Sequence, residues 1–316
     1  MTALFGMVFP GQGSQSVGML ADLERQYPVV GETFAEASRV LGFDLWRLVQ
    51  EGPKVRLDDT LNTQPAMLAA GVSVYRAWCD CGGPLPQYLA GHSLGELSAL
   101  VASGALDFED AVSLVVERAR LMQQAVPSGE GAMAAILGLA DEQVRGLCVS
   151  AAQGQVVEAV NFNAPGQVVV AGAAPAVARL IAAAKTVGAK RAIPLPVSVP
   201  SHCRLMVPAA DLFAHKLAAT PLKPPAIAVL HNVTVAQTQE PEQIRDLLRR
   251  QLYSPVRWVE TIRTMAEAGV TLLLEMGPGK VLAGLAKRID SRVAGLAVFD
   301  PTTLDAALEA ITDVDG

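Results

Sequence analysis

Short apolar runs alternate along this chain with longer stretches whose apolar residues recur every three or four positions. The runs have the signature of buried strands and the stretches that of one-faced helices, so the alternation predicts an α/β protein with a mostly parallel sheet. Residues 4–9 read as a first strand, followed by the glycine-rich Pro10-Gly11-Gln12-Gly13-Ser14-Gln15, and residues 31–41 and 64–79 read as helices. Tyr88-Leu89-Ala90 is a short apolar run that leads through Gly91-His92-Ser93-Leu94-Gly95 into a helical run, 96–102. Asp107 with Asp110 then opens a capped helix that runs to about Ala125.

The rhythm changes after Pro127-Ser128-Gly129-Glu130-Gly131. A strand over 132–139, a helix over 141–152 starting from a capping aspartate, strands over 156–161 and 167–171, a helix over 174–187 and a strand over 190–197 follow. That β-α-β-β-α-β order is ferredoxin-like. The expected organisation is a small subdomain, 128–198, inserted into a larger domain made of 1–127 plus 199–316. The larger domain resumes with a helix to Ala219, a strand over 226–232, two further helices, a strand over 271–275 and a helix beyond Gly277-Pro278-Gly279-Lys280.

Gly91-His92-Ser93-Leu94-Gly95 is a Gly-x-Ser-x-Gly elbow in a strand–turn–helix setting, which holds a serine hydroxyl clear of the sheet. The new helix aims its unpaired N–H groups at any oxyanion formed beside that serine. The chemistry expected is acyl transfer through a covalent Ser93 ester. Gln12, in the turn after the first strand, is the candidate whose backbone N–H joins that of Leu94 in an oxyanion hole; such a donor lowers a barrier by roughly 3 kcal/mol. The same turn is no nucleotide loop, because the third glycine and a following Gly-Lys-Ser/Thr are missing.

Ser93 needs a base. Of the four histidines, His202 stands where the inserted block rejoins the larger domain, and clefts form at such junctions. His215 reads as a helix-surface residue, His92 diverges from its neighbour across the turn, and His231, ending a strand, remains a rival. No aspartate presents itself as third member; a backbone carbonyl can fill that role, since a triad is defined by roles. Arg118 falls in the apolar stripe of its helix with Ala111, Leu114, Val115, Leu121 and Met122. A guanidinium facing a core needs an anion, and its fork fits a free carboxylate on the acyl group. The plainer reading is a structural ion pair.

Composition narrows the classes. The chain has 316 residues, 51% hydrophobic and 18% charged, which excludes disorder. No uninterrupted apolar run reaches membrane-spanning length; the longest, 168–184, is cut by Pro175 and Arg179. A first segment without a basic region reads as a strand and not a signal peptide. The net charge of −6 argues against nucleic acid as a partner. Cys79, Cys81, Cys148 and Cys203 read as free thiols of a cytoplasmic protein, and the scattered histidines make no metal spacing.

Phe9-Pro10-Gly11-Gln12-Gly13-Ser14-Gln15, Asn62-Thr63-Gln64-Pro65-Ala66, Gly91-His92-Ser93-Leu94-Gly95-Glu96, Val199-Pro200-Ser201-His202-Cys203 and Glu275-Met276-Gly277-Pro278-Gly279-Lys280 occur in that order. Together they resemble the malonyl-CoA:acyl-carrier-protein transacylase family of bacterial fatty acid synthesis, over essentially the whole chain. The resemblance implies an α/β-hydrolase-like large domain and a ferredoxin-like small one. It implies that Ser93 takes a malonyl group from coenzyme A, His202 serves as base and then acid, Gln12 and Leu94 supply oxyanion N–H groups, and Arg118 binds the malonyl carboxylate. It implies that the backbone carbonyl of Gln251 holds the histidine, and it makes Gln64, Asn161 and Asn163 candidate pantetheine or pocket contacts.

No bound cofactor is expected: malonyl-CoA and a phosphopantetheine-bearing acyl carrier protein are substrates of a monomer. Ser201 departs from malonyl-selective polyketide synthase relatives, which often carry phenylalanine there. The acyltransferase subunit of malonate decarboxylase and a serine esterase or thioesterase are the alternatives. Carrier proteins of this pathway are acidic, so docking on this acidic chain needs a local basic patch; Lys190-Arg191, Arg204 and Lys287-Arg288 are the candidates.

Overall fold

The computed structural model describes residues 4–197 and 199–312. Its strands are, in chain order, β1 (Phe5–Phe9), β2 (Tyr88–Gly91), β3 (Gly131–Leu137), β4 (Val157–Ala164), β5 (Gln167–Ala173), β6 (Arg191–Pro194), β7 (Ala228–Leu230), β8 (Leu272–Met276) and β9 (Ala294–Val298). Five of them form a parallel sheet in the order β7-β2-β1-β8-β9. Central β1 is buried throughout, as an unbroken apolar run demands. Its side chains alternate between two cores: Phe5, Met7 and Phe9 pack with Phe34 and Trp78, whereas Val8 packs with Trp258, Ile262 and Leu273.

Phe9 pairs with Gly91 at the carboxyl ends of β1 and β2, so the turns that follow the two strands emerge side by side. In open α/β sheets that edge is where ligands bind.

The remaining strands form an antiparallel sheet, β4-β5-β3-β6, which is the ferredoxin-like order. Helices Asp141–Ala152 and Ala174–Thr186 cover one face, where Ile136, Val144 and Leu180 make a core. The other face, with Met133 and Val169, packs on Cys203 from the larger body. Backbone bonds stitch the two bodies together: Val256 N–H donates to Val160 O at 2.8 Å, and Phe162 N–H donates to Val256 O at 3.0 Å.

The structure corrects the sequence reading in places. It adds β9 and a helix, Pro301–Thr312, after the helix Val281–Ile289. β9 is a short run of small residues whose Gly295 lies so close to Ala283 that a Cβ there would sit 2.4 Å from the Ala283 oxygen. Close approach, and not β-propensity, places this strand. The structure also adds the short helices Ala21–Gln26, Leu45–Glu51 and Lys54–Leu57. Asp141 is not the cap of its helix: Ala140 holds that position, its N–H donating to Gln143 Oε1 at 2.9 Å. Among the described residues, no helix is long and apolar enough to cross a membrane. The four cysteines are free, with Cys148 and Cys203 buried.

Candidate active site

Glycine makes the elbow possible. A Cβ on Gly91 would lie 1.8 Å from the Gly95 carbonyl carbon, and one on Gly95 would lie 2.2 Å from Phe9 O. A Cβ on Gly11 would lie 2.6 Å from His92 O, so the two turns are pressed together. Ser93 itself sits at φ +52°, in the left-handed region that non-glycine residues rarely occupy. Asn232 holds it there: Ser93 N–H donates to Asn232 Oδ1 at 2.8 Å, and Asn232 Nδ2 donates to Gly91 O at 2.7 Å. Leu94 is the N-cap of the helix Gly95–Ala102, so the helix itself leaves its N–H without an acceptor.

The rival histidines separate by geometry. Ser93 Oγ lies 2.7 Å from His202 Nε2, and His202 Nδ1 lies 2.8 Å from the Gln251 backbone carbonyl. A carbonyl can only accept, so the proton is assigned to Nδ1 and Nε2 is free to accept from the serine hydroxyl. His202 is buried at φ +68°, its N–H anchored to Leu252 O at 2.9 Å. Burial first, and then the positive charge of Arg118, push its imidazole down to about 3, while the Gln251 carbonyl acts the other way. His231 is fully buried beneath the elbow, bonded through Nδ1 to Glu96 Oε1 at 2.7 Å. His215 is exposed on its helix, and His92 Nε2 turns to Asn163 Oδ1 at 2.8 Å.

Arg118 is 2% exposed on the helix Phe108–Ala125, whose N-cap Asp107 accepts from Glu109 N–H. Its Nη1 donates to Gln64 Oε1 at 2.9 Å, and its Nη2 donates to Gln251 Oε1 at 3.1 Å and to Ser93 Oγ at 3.2 Å. Nε is buried without a partner. Every acceptor is neutral, so among the described residues this cation has no carboxylate in bonding contact. Burial pulls the guanidinium down to about 10, and the field of Glu96 raises it again; it stays charged at neutral pH.

A cavity of about 130 Å³ opens on these groups. Gln12, Gln64, Ser93, Leu94, Arg118 and His202 line it from the large-sheet side, and Met133, Asn161, Leu195 and Val197 line it from the small-sheet side. Asn161 Oδ1 is buried and unpartnered there. Gln12 is exposed, its side chain donating to Thr60 Oγ1 at 3.3 Å. Asn163 does not line the cavity; its oxygen is taken by His92. Gln251 lies behind the wall and reaches the site through its two oxygens and through Nε2, which donates to Ser93 O at 3.0 Å. Sequence reasoning missed Asn232 and Glu96. A single charge inside the apolar run 94–102 was the available signal for Glu96.

Among the described residues, no group of three or more His, Cys, Asp or Glu is placed to hold a metal ion. Lys190, Arg191, Arg204, Lys287 and Arg288 are all exposed, but Arg204 pairs with Glu158 and Arg288 donates to Gln167.

A serine nucleophile, a neutral imidazole and a buried fork on one cavity define a serine acyltransferase site. The chain belongs to the acyl transferase family: the model described as acyl transferase domain matches residues 7–295. Within it, the chain is 56% identical over 305 residues to the malonyl CoA-acyl carrier protein transacylase of Escherichia coli K12, covering 96% of this chain and 99% of the relative. The solved malonyl CoA-acyl carrier protein transacylase of Coxiella burnetii superposes with a TM-score of 0.98 at 51% identity, covering 99% of each chain. A malonyl-transacylase solved in complex with its type II PKS acyl-carrier protein matches with a TM-score of 0.96 at 55% identity, covering 98% of this chain and 100% of that one.

Proposed function

We propose that this protein moves a malonyl group from malonyl-CoA to the phosphopantetheine thiol of an acyl carrier protein, through an ester on Ser93. The observation that carries the reading is Arg118, a buried cation held open by neutral acceptors beside the nucleophile. A malonyl carboxylate supplies the missing anion. An esterase acting on uncharged acyl groups gains nothing from it. The names of the relatives point the same way.

The Ser93 proton passes to His202 Nε2 as Oγ attacks the thioester carbonyl. Backbone N–H groups of Gln12 and Leu94 stabilise the oxyanion. Its collapse breaks the C–S bond, and the departing coenzyme A sulfur takes the proton from His202. In the second half His202 accepts the pantetheine thiol proton, the sulfur attacks the ester, and Ser93 leaves with the proton. The Gln251 carbonyl keeps the imidazole in one tautomer throughout. Gln64 positions Arg118, and Asn161, with its unpartnered oxygen, takes the pantetheine arm. Asn163 serves the arm indirectly, by fixing His92.

The substrates are a coenzyme A thioester and a carrier protein, with no resident cofactor. We read the protein as a cytoplasmic monomer that engages neither membrane nor nucleic acid, with 128–198 inserted into a catalytic unit of 1–127 plus 199–316. Incubation with malonyl-CoA without acceptor should leave a malonyl adduct on Ser93, seen by mass spectrometry and absent from Ser93→Ala. Adding carrier protein bearing its pantetheine should discharge it. A malonyl adduct on another residue would sink the assignment.

A further inference from the structure

Beneath the elbow lies a polar cluster that the chemistry above does not use. Glu96 is fully buried, and three donors converge on its carboxylate: His231 Nδ1 on Oε1 at 2.7 Å, and on Oε2 Asn232 N–H at 3.0 Å and Gln251 Nε2 at 2.8 Å. A buried carboxylate is tolerated only with such partners. Gln251 Nε2 also donates to Ser93 O at 3.0 Å. Both acceptors face the amide nitrogen, so the amide oxygen must face away, toward Arg118 Nη2. Flipped, that oxygen would meet two acceptors and the NH₂ group would meet a guanidinium.

We propose that Glu96 is a positioning residue: its negative charge, and not only its oxygens, fixes the orientation of Gln251, which then offers its side-chain oxygen to Arg118 and its backbone carbonyl to His202. The proposal rests on the roles given above to Ser93, His202 and Arg118. His231 is the strut of this arrangement and not a base. Its Nδ1–H holds Glu96 Oε1, while its Nε2 is buried and touches no partner. Glu96 is thereby the anion nearest in effect to Arg118, kept from direct contact by one neutral amide. That separation leaves the guanidinium free for a substrate carboxylate.

Glu96→Gln is a fair test because it can keep every hydrogen bond. Its oxygen can serve Asn232 and Gln251 and its NH₂ group can face His231, whose proton then moves to Nε2. The orienting charge is lost, and the His231 proton comes to lie on a buried nitrogen without an acceptor, which the thermal melts report. The measurement is single-turnover acylation of Ser93 from malonyl-CoA and from acetyl-CoA, with thermal melts alongside. Glu96→Gln should slow malonyl acylation about 10–100-fold and acetyl acylation about tenfold less, since only malonyl also needs Arg118. His231→Leu should shift the malonyl-to-acetyl ratio the same way. His231→Asn, which places a donor where Nδ1 stands, should restore most of that ratio even if Glu96→Gln folds poorly.

An unchanged ratio in folded Glu96→Gln overturns the proposal, and so does an equal loss on both donors that follows a lowered melting temperature. His231→Asn as impaired as His231→Leu overturns the strut. Failure of the underlying reading would be visible elsewhere, as a wild-type protein that forms no malonyl ester on Ser93.

Discussion

Two buried histidines stand on either side of the elbow, and they have the same inner connection. Each is bonded through Nδ1 to an oxygen, His202 to the Gln251 carbonyl and His231 to the Glu96 carboxylate. They differ at the other ring nitrogen: His202 Nε2 meets Ser93 Oγ, whereas His231 Nε2 has no hydrogen-bond partner. The partner with the formal charge belongs to the histidine that the proposed mechanism does not use. Arg118 explains this. In that mechanism an anion bonded directly to His202 would stand beside the Arg118 cation proposed to take substrate, and the two would pair. A neutral carbonyl orients His202 without competing for Arg118.

The largest effect should come from exchanging the two histidines as targets. His202→Ala should cut acylation by about 10²–10⁴-fold or more, the range for loss of a general base. His231→Ala should cost far less, read in the same stopped assay with malonyl-CoA. A crippled His231→Ala beside a nearly normal His202→Ala would invert the assignment.

Next is Arg118→Ala. Losing charge-assisted bonds to a buried carboxylate should lower malonyl transfer by roughly 10²–10³-fold. Transfer from acetyl-CoA, which has no carboxylate, should be retained or raised. Parallel losses on both donors would mark Arg118 as structural.

The pH response is subtler. The free imidazole titrates near 6.5, and His202 is pushed down to about 3 by burial and then by Arg118. The acid limb of kcat/KM for malonyl-CoA should therefore lie well below 6.5, because the base stays neutral in the free enzyme. In Arg118→Ala, followed with acetyl-CoA, one cause of the depression is gone and the limb should move up. The same shift bears on folding. The unfolded chain takes up this proton more readily, so the contribution is present above about 6.5 and is lost as pH falls toward about 3. Acid unfolding of His202→Gln should be correspondingly shallower. An acid limb near 6.5 in the wild type would contradict the burial argument.

Smallest are the docking effects. Charge reversal at Lys190-Arg191 or Lys287-Arg288 should raise the Michaelis constant for carrier protein a few-fold and flatten its salt dependence, with acylation by malonyl-CoA unchanged. Arg204 should respond less, since Glu158 already pairs with it. Unaltered carrier kinetics after all three reversals would move the docking surface elsewhere.

What the sequence reveals about this site follows from how local each feature is. The elbow is legible because strand, glycines, serine and helix are contiguous, and Arg118 because a charge breaks a helical apolar stripe. His202 could be favoured only by its place at a junction, and His231 could not be dismissed, since burial and partner are tertiary facts. Gln251 was reachable only through the family resemblance: a backbone carbonyl carries no residue-type signal. Glu96 escaped because its helix is buried almost all round, so no polar face existed against which to notice it. The fold shows the same limit. The strand and helix order of the small sheet was readable, although its last strand is Arg191–Pro194 and not 190–197, whereas β9 at the sheet edge depends on the contact of Gly295 with Ala283.

The pressed glycines of the elbow have a practical side for anyone redesigning acyl choice. Gly11, Gly91 and Gly95 leave no room for even a methyl group, so the two turns that carry Gln12 and Ser93 are closed to substitution at these positions. The facing wall is built differently, from the side chains of Met133, Leu195 and Val197. None of the three takes part in the hydrogen bonds that hold Ser93 and His202. A library meant to admit bulkier acyl groups should therefore spend its diversity on that wall and leave the glycines of the turns alone.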